Sequence, residues 1–194
     1  LAAMILAAAA AYLVMIDVKP RVPRPGAPPR VADLEQRLRR HVEALASGIG
    51  ERHLGRPEAL RAAARYIGEA WRGQGLAVRE ETYTVGGQLV SNVVAEQPGT
   101  DPGAGILLVG AHYDTAPGTP GANDNASDVA VLLELSAALA RTPRTRTLRY
   151  VAFVNEEMPY FSSDDMGSRL HARGSRRRGE LIRGMLSLET LGYY

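Results

Sequence analysis

The chain has no cysteine, one lysine (Lys19), two phenylalanines and one tryptophan in 194 residues. Without cysteine there is neither a disulfide framework nor a thiolate metal ligand, so a metal site has to be assembled from imidazole and carboxylate. Net charge is also scarce, +2 at neutral pH, with arginine supplying nearly every cation. That balance gives no reason to expect a polyanionic partner. The cluster Arg173, Arg176, Arg177 and Arg178 has no aromatic residues interleaved to stack bases, so it reads as a solvated surface turn and no nucleic acid is expected.

Hydrophobic residues make up 45% of the chain, enough to bury one core, and the length fits a single globular unit. Residues 1–16 are apolar throughout except for Tyr12, while a bilayer span needs roughly 20 such residues. The stretch reads as a membrane anchor or the h-region of a signal peptide. The following domain is then expected to be extracytoplasmic and membrane-anchored, or secreted after cleavage. Lys19, Arg21, Arg24 and Arg30 follow the apolar run, and such residues prefer the cytoplasmic side, so charge alone leaves orientation open. Residues 17–30 hold Pro20, Pro23, Pro25, Pro28 and Pro29, the composition of an extended tether. The globular domain is expected over 31–194. The chain opens on Leu1 and closes directly after a strand-like stretch, and is expected to be part of something longer; oligomeric state is not legible.

Within the domain, Leu34, Leu38, Val42 and Leu45 recur at helical spacing up to about Ala46. Leu60, Ala63, Ala64, Ile67, Ala70 and Trp71 define an amphipathic helix over Arg56 to Gln74, with Gly75 placed to end it. Leu76 to Val85 and Leu89 to Glu96, joined through Gly86-Gly87-Gln88, read as a β-hairpin. Then come a strand at Ile106 to Ala111, a helix at Ser127 to Arg141, a strand at Leu148 to Asn155, a short helix near Met166 to Ala172 and a strand at Met185 to Leu188. The predicted fold class is α/β: three layers, α/β/α, around a mixed, mostly parallel sheet with an antiparallel edge.

In an open α/β sheet, ligands collect beyond the carboxyl ends of the strands. His112, Glu156-Glu157 and Glu189 each follow such a strand, so three strands bring metal-ligating side chains to one rim. Asp114, two residues after His112, faces the same way in extended chain and is placed to hold the second imidazole nitrogen. Asp124, in Gly-Ala-Asn-Asp-Asn at 121–125, precedes a helix that Ser127 or Asn125 is placed to cap; the helix dipole there favours an ionised carboxylate. Glu156 and Glu157 are adjacent at a strand end and point to opposite faces, so one can bind metal while the other stays free as a base.

In that order, His-Tyr-Asp at 112–114, Gly-Ala-Asn-Asp-Asn-Ala-Ser at 121–127, Glu-Glu at 156–157 and Gly-Ser at 167–168 resemble the zinc exopeptidases of metallopeptidase family twenty-eight. The resemblance covers Val31 onward. It implies two zinc ions: His112 and Glu189 on one, Glu157 on the other and Asp124 bridging both, with Glu156 as general base and Asp114 supporting His112. It also implies a non-proline cis peptide at Asp124 to Asn125, a peptide substrate, and aminopeptidase chemistry with a metal-bridging water. The sequence departs from the family pattern at Asp128, usually Gly, in the long interval holding Pro159, and at Glu189, more often Asp. The family's last ligand, a histidine, is expected beyond Tyr194, so the fragment by itself is expected to be inactive. Other readings are a single-zinc glutaminyl cyclase of the same fold, a non-catalytic peptidase-like ectodomain, and a calcium loop built from Asp124, Asn125 and Asp128. Cobalt or manganese also suits the same ligand set.

Overall fold

The computed structural model describes residues 33–192. The predicted anchor at 1–16 and tether at 17–30 lie outside the described residues. Among the described residues no helix is long and apolar enough to cross a membrane.

Helix α1 (Leu34–Val42) passes without a break into a π-helical stretch, Glu43–Ile49, which ends at Gly50. Helix α2 (Pro57–Gly73) has proline in its first turn, where a missing N–H costs nothing, and stops where Gly75 takes φ 82° and the Leu76 amide donates back to the Trp71 carbonyl. Its predicted stripe is buried through Leu60, Ala63, Ala64, Ile67 and Trp71. Strands β1 (Ala77–Val85) and β2 (Gln88–Gln97) form the expected hairpin; its turn residues, Gly86 and Gly87, both have positive φ, which matches the twist of the flanking strands. Strand β3 (Ile106–His112), helix α3 (Ser127–Leu139), strand β4 (Thr147–Phe153), helix α4 (Gly167–Arg177) and strand β5 (Ile182–Ser187) follow.

The sheet order is β1-β2-β4-β3-β5. β1 with β2 and β2 with β4 are antiparallel, while β3 pairs in parallel with both β4 and β5, so β2 alone runs against the other four strands. This is the predicted mixed α/β sheet. Its larger core joins Trp71 and Ile67 of α2 and Leu132 and Leu133 of α3 to Val93, Ala111, Ala152 and Val154 on one face of the sheet. Val94, Leu108, Val151 and Phe153 form a smaller cluster on the other face, and the Phe153 ring meets His171 of α4 edge-on.

Two expectations need correcting. The last two elements are longer than predicted, because polar positions in α4 and β5 hide the periodicity. The arginine cluster also lies in and just after α4 rather than in a free turn: Arg173 pairs with Asp164 and Arg178 with Glu180, each gaining a carboxylate that sequence spacing does not reveal.

Candidate metal centre

Because β4, β3 and β5 are parallel neighbours, their carboxyl ends lie along one sheet edge. β3 delivers His112 there, the turn after β4 delivers Glu156 and Glu157, and the turn after β5 delivers Glu189. Asn155 leaves β4 with left-handed backbone, φ 59°, a conformation asparagine tolerates better than most residues. Asp124 returns to the same rim in extended backbone, φ −112° and ψ 94°, just before α3, and the Asp124–Asn125 peptide is cis as the resemblance implied.

The predicted ligands meet. His112, Asp124 and Glu157 offer ligand atoms that all lie within 4.8 Å of one another. His112 Nε2 is 3.0 Å from Asp124 Oδ1, 3.5 Å from Glu189 Oε1 and 3.8 Å from Glu156 Oε2. Donor atoms around a tetrahedral zinc at about 2.0–2.2 Å stand about 3.3–3.6 Å apart, so the separations to Asp124 and Glu189 are of that order. Although surrounded by carboxylates, the buried Nε2 makes no hydrogen bond of acceptable geometry. An imidazole nitrogen aimed into an acidic cluster without a hydrogen-bonding partner is the donor set a divalent cation takes, so the residues fit the implied metal.

The electrostatics agree. Burial pulls the His112 pKa down, yet Asp114, Glu189 and Glu156 outweigh it and push it up to about 11. Burial raises Glu156, and Asp114, Glu189 and Glu157 raise it further against the opposing His112. Glu157 is raised by burial and then by Asp124. So much negative charge in one half-buried cup is costly unless a cation neutralises it.

Asp114 does more than its spacing predicted. His112 Nδ1 lies 3.2 Å from the Asp114 carbonyl oxygen and 3.5 Å from its carboxylate, so the closer contact is with the backbone. The buried carboxylate accepts the Glu156 amide on Oδ1 at 3.1 Å and the Glu157 amide on Oδ2 at 3.0 Å. It ties the β3 exit to the turn carrying both glutamates.

Some expected roles change. Neither Asn125 nor Ser127 caps α3: Asn125 Nδ2 donates to the Leu188 carbonyl, and the Ser127 hydroxyl donates to the Asn123 carbonyl. Asp128 Oδ1 accepts the Leu191 amide at 3.0 Å. These contacts hold both sides of Glu189. Of the three residues in the calcium-loop reading, Asp124 joins His112 and Glu157, while Asn125 Nδ2 and Asp128 Oδ1 are taken up by the backbone on either side of Glu189.

The Gly-Ser motif at 167–168 has a packing explanation. Asn92 accepts the Val154 amide and donates to the Gly167 carbonyl, and a Cβ on Gly167 would lie 2.2 Å from Asn92 Oδ1. Sequence reasoning missed Asn92, since a lone asparagine in an apolar strand carries no local signal of partners 62 and 75 residues away.

Residues 92–194 match Peptidase family M28. The chain is 33% identical over 191 residues to the uncharacterized protein YfbL of Escherichia coli (strain K12), covering 94% of this chain and 55% of that protein. It is 38% identical over 72 residues to aminopeptidase YwaD of Bacillus subtilis (strain 168), covering 37% of this chain and 16% of that protein. Among solved structures, glutaminyl cyclase of Porphyromonas gingivalis superposes with a TM-score of 0.69 at 26% identity, covering 82% of this chain and 61% of that one. The chain thus spans about half the length of YfbL and a smaller share of YwaD.

Proposed function

The chain belongs to peptidase family M28, and from that premise we propose that the complete protein is a zinc-dependent exopeptidase acting as an aminopeptidase on peptide substrates. The observation that carries the reading is the convergence of His112, Asp124 and Glu157, with Glu189 Oε1 3.5 Å from the buried His112 Nε2, a nitrogen that makes no hydrogen bond of acceptable geometry. His112 and Glu189 would hold one ion, Glu157 the second, and Asp124 would bridge them. Bound there, zinc supplies a Lewis acid for the scissile carbonyl and makes a water at the site more acidic.

The chain's own residues do the rest. Glu156 is partly open to solvent, 3.8 Å from His112 Nε2 and clear of the tight ligand triad, which suits a group that must reach substrate. It takes the proton of the attacking water and delivers it to the departing amine nitrogen, so the peptide C–N bond breaks as a C–O bond forms. Burial favours its protonated form, whereas a bound cation would favour the ionised form that a general base needs. Asp114 fixes the Glu156 amide and with it the backbone that carries this carboxylate. Outside the described residues, the apolar segment 1–16 would anchor the domain on the extracytoplasmic side of a membrane.

Glu156→Gln in the complete protein should retain metal and lose kcat by two or more orders of magnitude. Aminoacyl substrates should be cleaved and N-capped dipeptides left intact. Wild-type turnover in the variant would remove Glu156 from the mechanism. A second reading, cyclisation of an amino-terminal glutaminyl residue, draws on the similarity to a glutaminyl cyclase structure. Metal analysis separates the two: two equivalents per chain for the peptidase, one for the cyclase.

A further inference from the structure

Between the π-helical stretch and α2, Arg52 is wholly buried, and its guanidinium bonds to backbone carbonyls alone. Nε donates to Tyr113 at 2.8 Å; Nη1 to Leu45 at 3.0 Å, Gly50 at 2.9 Å and Pro120 at 2.7 Å; and Nη2 to Gly121 at 3.1 Å. The main chain doubles the attachment: the Arg52 amide donates to Thr115 Oγ1, and the Thr115 amide donates to the Arg52 carbonyl. Among the described residues no carboxylate lies within ion-pair distance of it. Burying a permanent cation without a counter-ion beside it is costly, so its placement calls for a reason beyond filling space.

The acceptors supply one. Tyr113 stands between His112 and Asp114, and Pro120-Gly121 lie just before Asp124. One planar fork therefore grips the backbone of the β3 exit and of the loop that returns Asp124 to it. Gly121 shows how closely that loop is drawn in: at φ 58°, a Cβ there would stand 2.3 Å from the Asp124 carbonyl oxygen, 2.4 Å from Thr115 Cγ2 and 3.0 Å from Arg52 Nη2. Burial lowers the Arg52 pKa to about 10, with Asp114 and Asp124 opposing the fall, so the group stays charged at neutral pH. A lysine ammonium is a point donor and cannot span both segments as the guanidinium does.

We infer that Arg52 is the positioning residue of the metal centre, holding the His112–Asp114 and Pro120–Asp124 segments in the register that sets His112 Nε2 against Asp124 Oδ1. The inference rests on the metal-site part of the function proposed above and is independent of which bond is cleaved.

The test measures zinc affinity of the folded complete protein by chelator competition, the absorption spectrum of its cobalt(II) form, and melting temperature without metal. Arg52→Lys and Arg52→Met are compared with Arg149→Met. Arg149 is nearly as buried and is bonded to Glu96, Glu180 and Ser175, so its removal reports destabilisation alone. The Arg52 variants should bind zinc about 10–100-fold more weakly, the usual effect of losing outer support of a ligand, with a changed cobalt spectrum. Arg149→Met should lower the melting temperature and leave affinity and spectrum as in wild type. Should Arg52→Met fail to fold, Arg52→Lys and Thr115→Val decide the matter, the latter removing only the acceptor of the Arg52 amide. Unchanged zinc affinity in the folded Arg52 and Thr115 variants, or an equal loss in Arg149→Met, overturns the inference alone. A wild-type protein that takes up no zinc overturns the function proposed above as well.

Discussion

Glu81, on the β1 strand far along the chain from any proposed ligand, offers the cleanest quantitative check on the fold. Its carboxylate is 17% exposed, meets His171 Nδ1 at 2.7 Å and Arg79 at 2.5 Å, and lies 3.5 Å from Arg178. Burial alone would raise its pKa, but the hydrogen bonds and charges of His171 and Arg79 prevail and hold it at about 2 against an ordinary 4.5. At about 1.4 kcal/mol per pH unit, the gap is worth about 3 kcal/mol of stability at neutral pH. The folded-state pKa is depressed, so the unfolded chain takes up the proton first as pH falls. The contribution is complete above about pH 5 and disappears on acidification to about pH 2. Glu81→Gln should thus be less stable than wild type by about 3 kcal/mol at pH 7, with the difference shrinking steadily below pH 5. Urea unfolding of both proteins at several pH values between 7 and 3 measures it, and the other carboxylates cancel in the comparison. A difference that stays constant across that range would refute the reasoning, because it would show that shape rather than charge at position 81 carries the effect.

Two further outcomes follow from single contacts. Gly167→Ala would press a methyl group into Asn92 Oδ1 and the Val154 carbonyl and should cost about 1–3 kcal/mol, whereas Gly73→Ala, with nothing within 4 Å of the added carbon, should be neutral or stabilise by about 0.4–1 kcal/mol; chemical denaturation of the pair checks the contrast, and equal effects would contradict it. Asp128→Ala removes the acceptor of the Leu191 amide beside Glu189, so unfolding free energy should drop by about 1–3 kcal/mol and zinc affinity about tenfold or more, and chelator competition showing wild-type affinity would detach Asp128 from the metal centre.

What could be read from the sequence was whatever declares itself locally. The amphipathic stripe of α2, the Gly86-Gly87 hairpin turn and the apolar runs of β3 and β4 each depend on neighbours within one or two turns of chain, and each lies where the pattern put it, to within a few residues. His112, Glu157 and Glu189 were visible as candidates for a related reason: a side chain at a strand end is placed by its own strand, and parallel order brings the strand ends together, whereas Asp124 stood out only through its motif ahead of α3. The supporting groups were hidden because their partners are remote. Arg52 finds acceptors 61 to 69 residues away, and its neighbours Glu51 and His53 give it the appearance of an ordinary charged loop. The far end of α4 was missed because its buried face is polar: His171 and Ser175 are nearly inaccessible, and a hydrophobic period has nothing to register there.

The glutamate at 189 shows how such remote contacts accommodate a departure from the family pattern. One methylene more than aspartate places the carboxylate farther from its backbone, so the position of the turn after β5 decides how close the oxygen comes to His112. Asn125 holds the Leu188 carbonyl, Asp128 the Leu191 amide and Ser127 the Gly192 amide, and all three come from the segment that carries Asp124. These contacts tie the backbone around Glu189 to the segment that carries Asp124. Asp128, where the family pattern has glycine, is one of those three anchors. The two departures from the pattern therefore meet: Asp128, from the first turn of α3, holds the Leu191 amide of the turn that carries Glu189, whose Oε1 lies 3.5 Å from His112 Nε2.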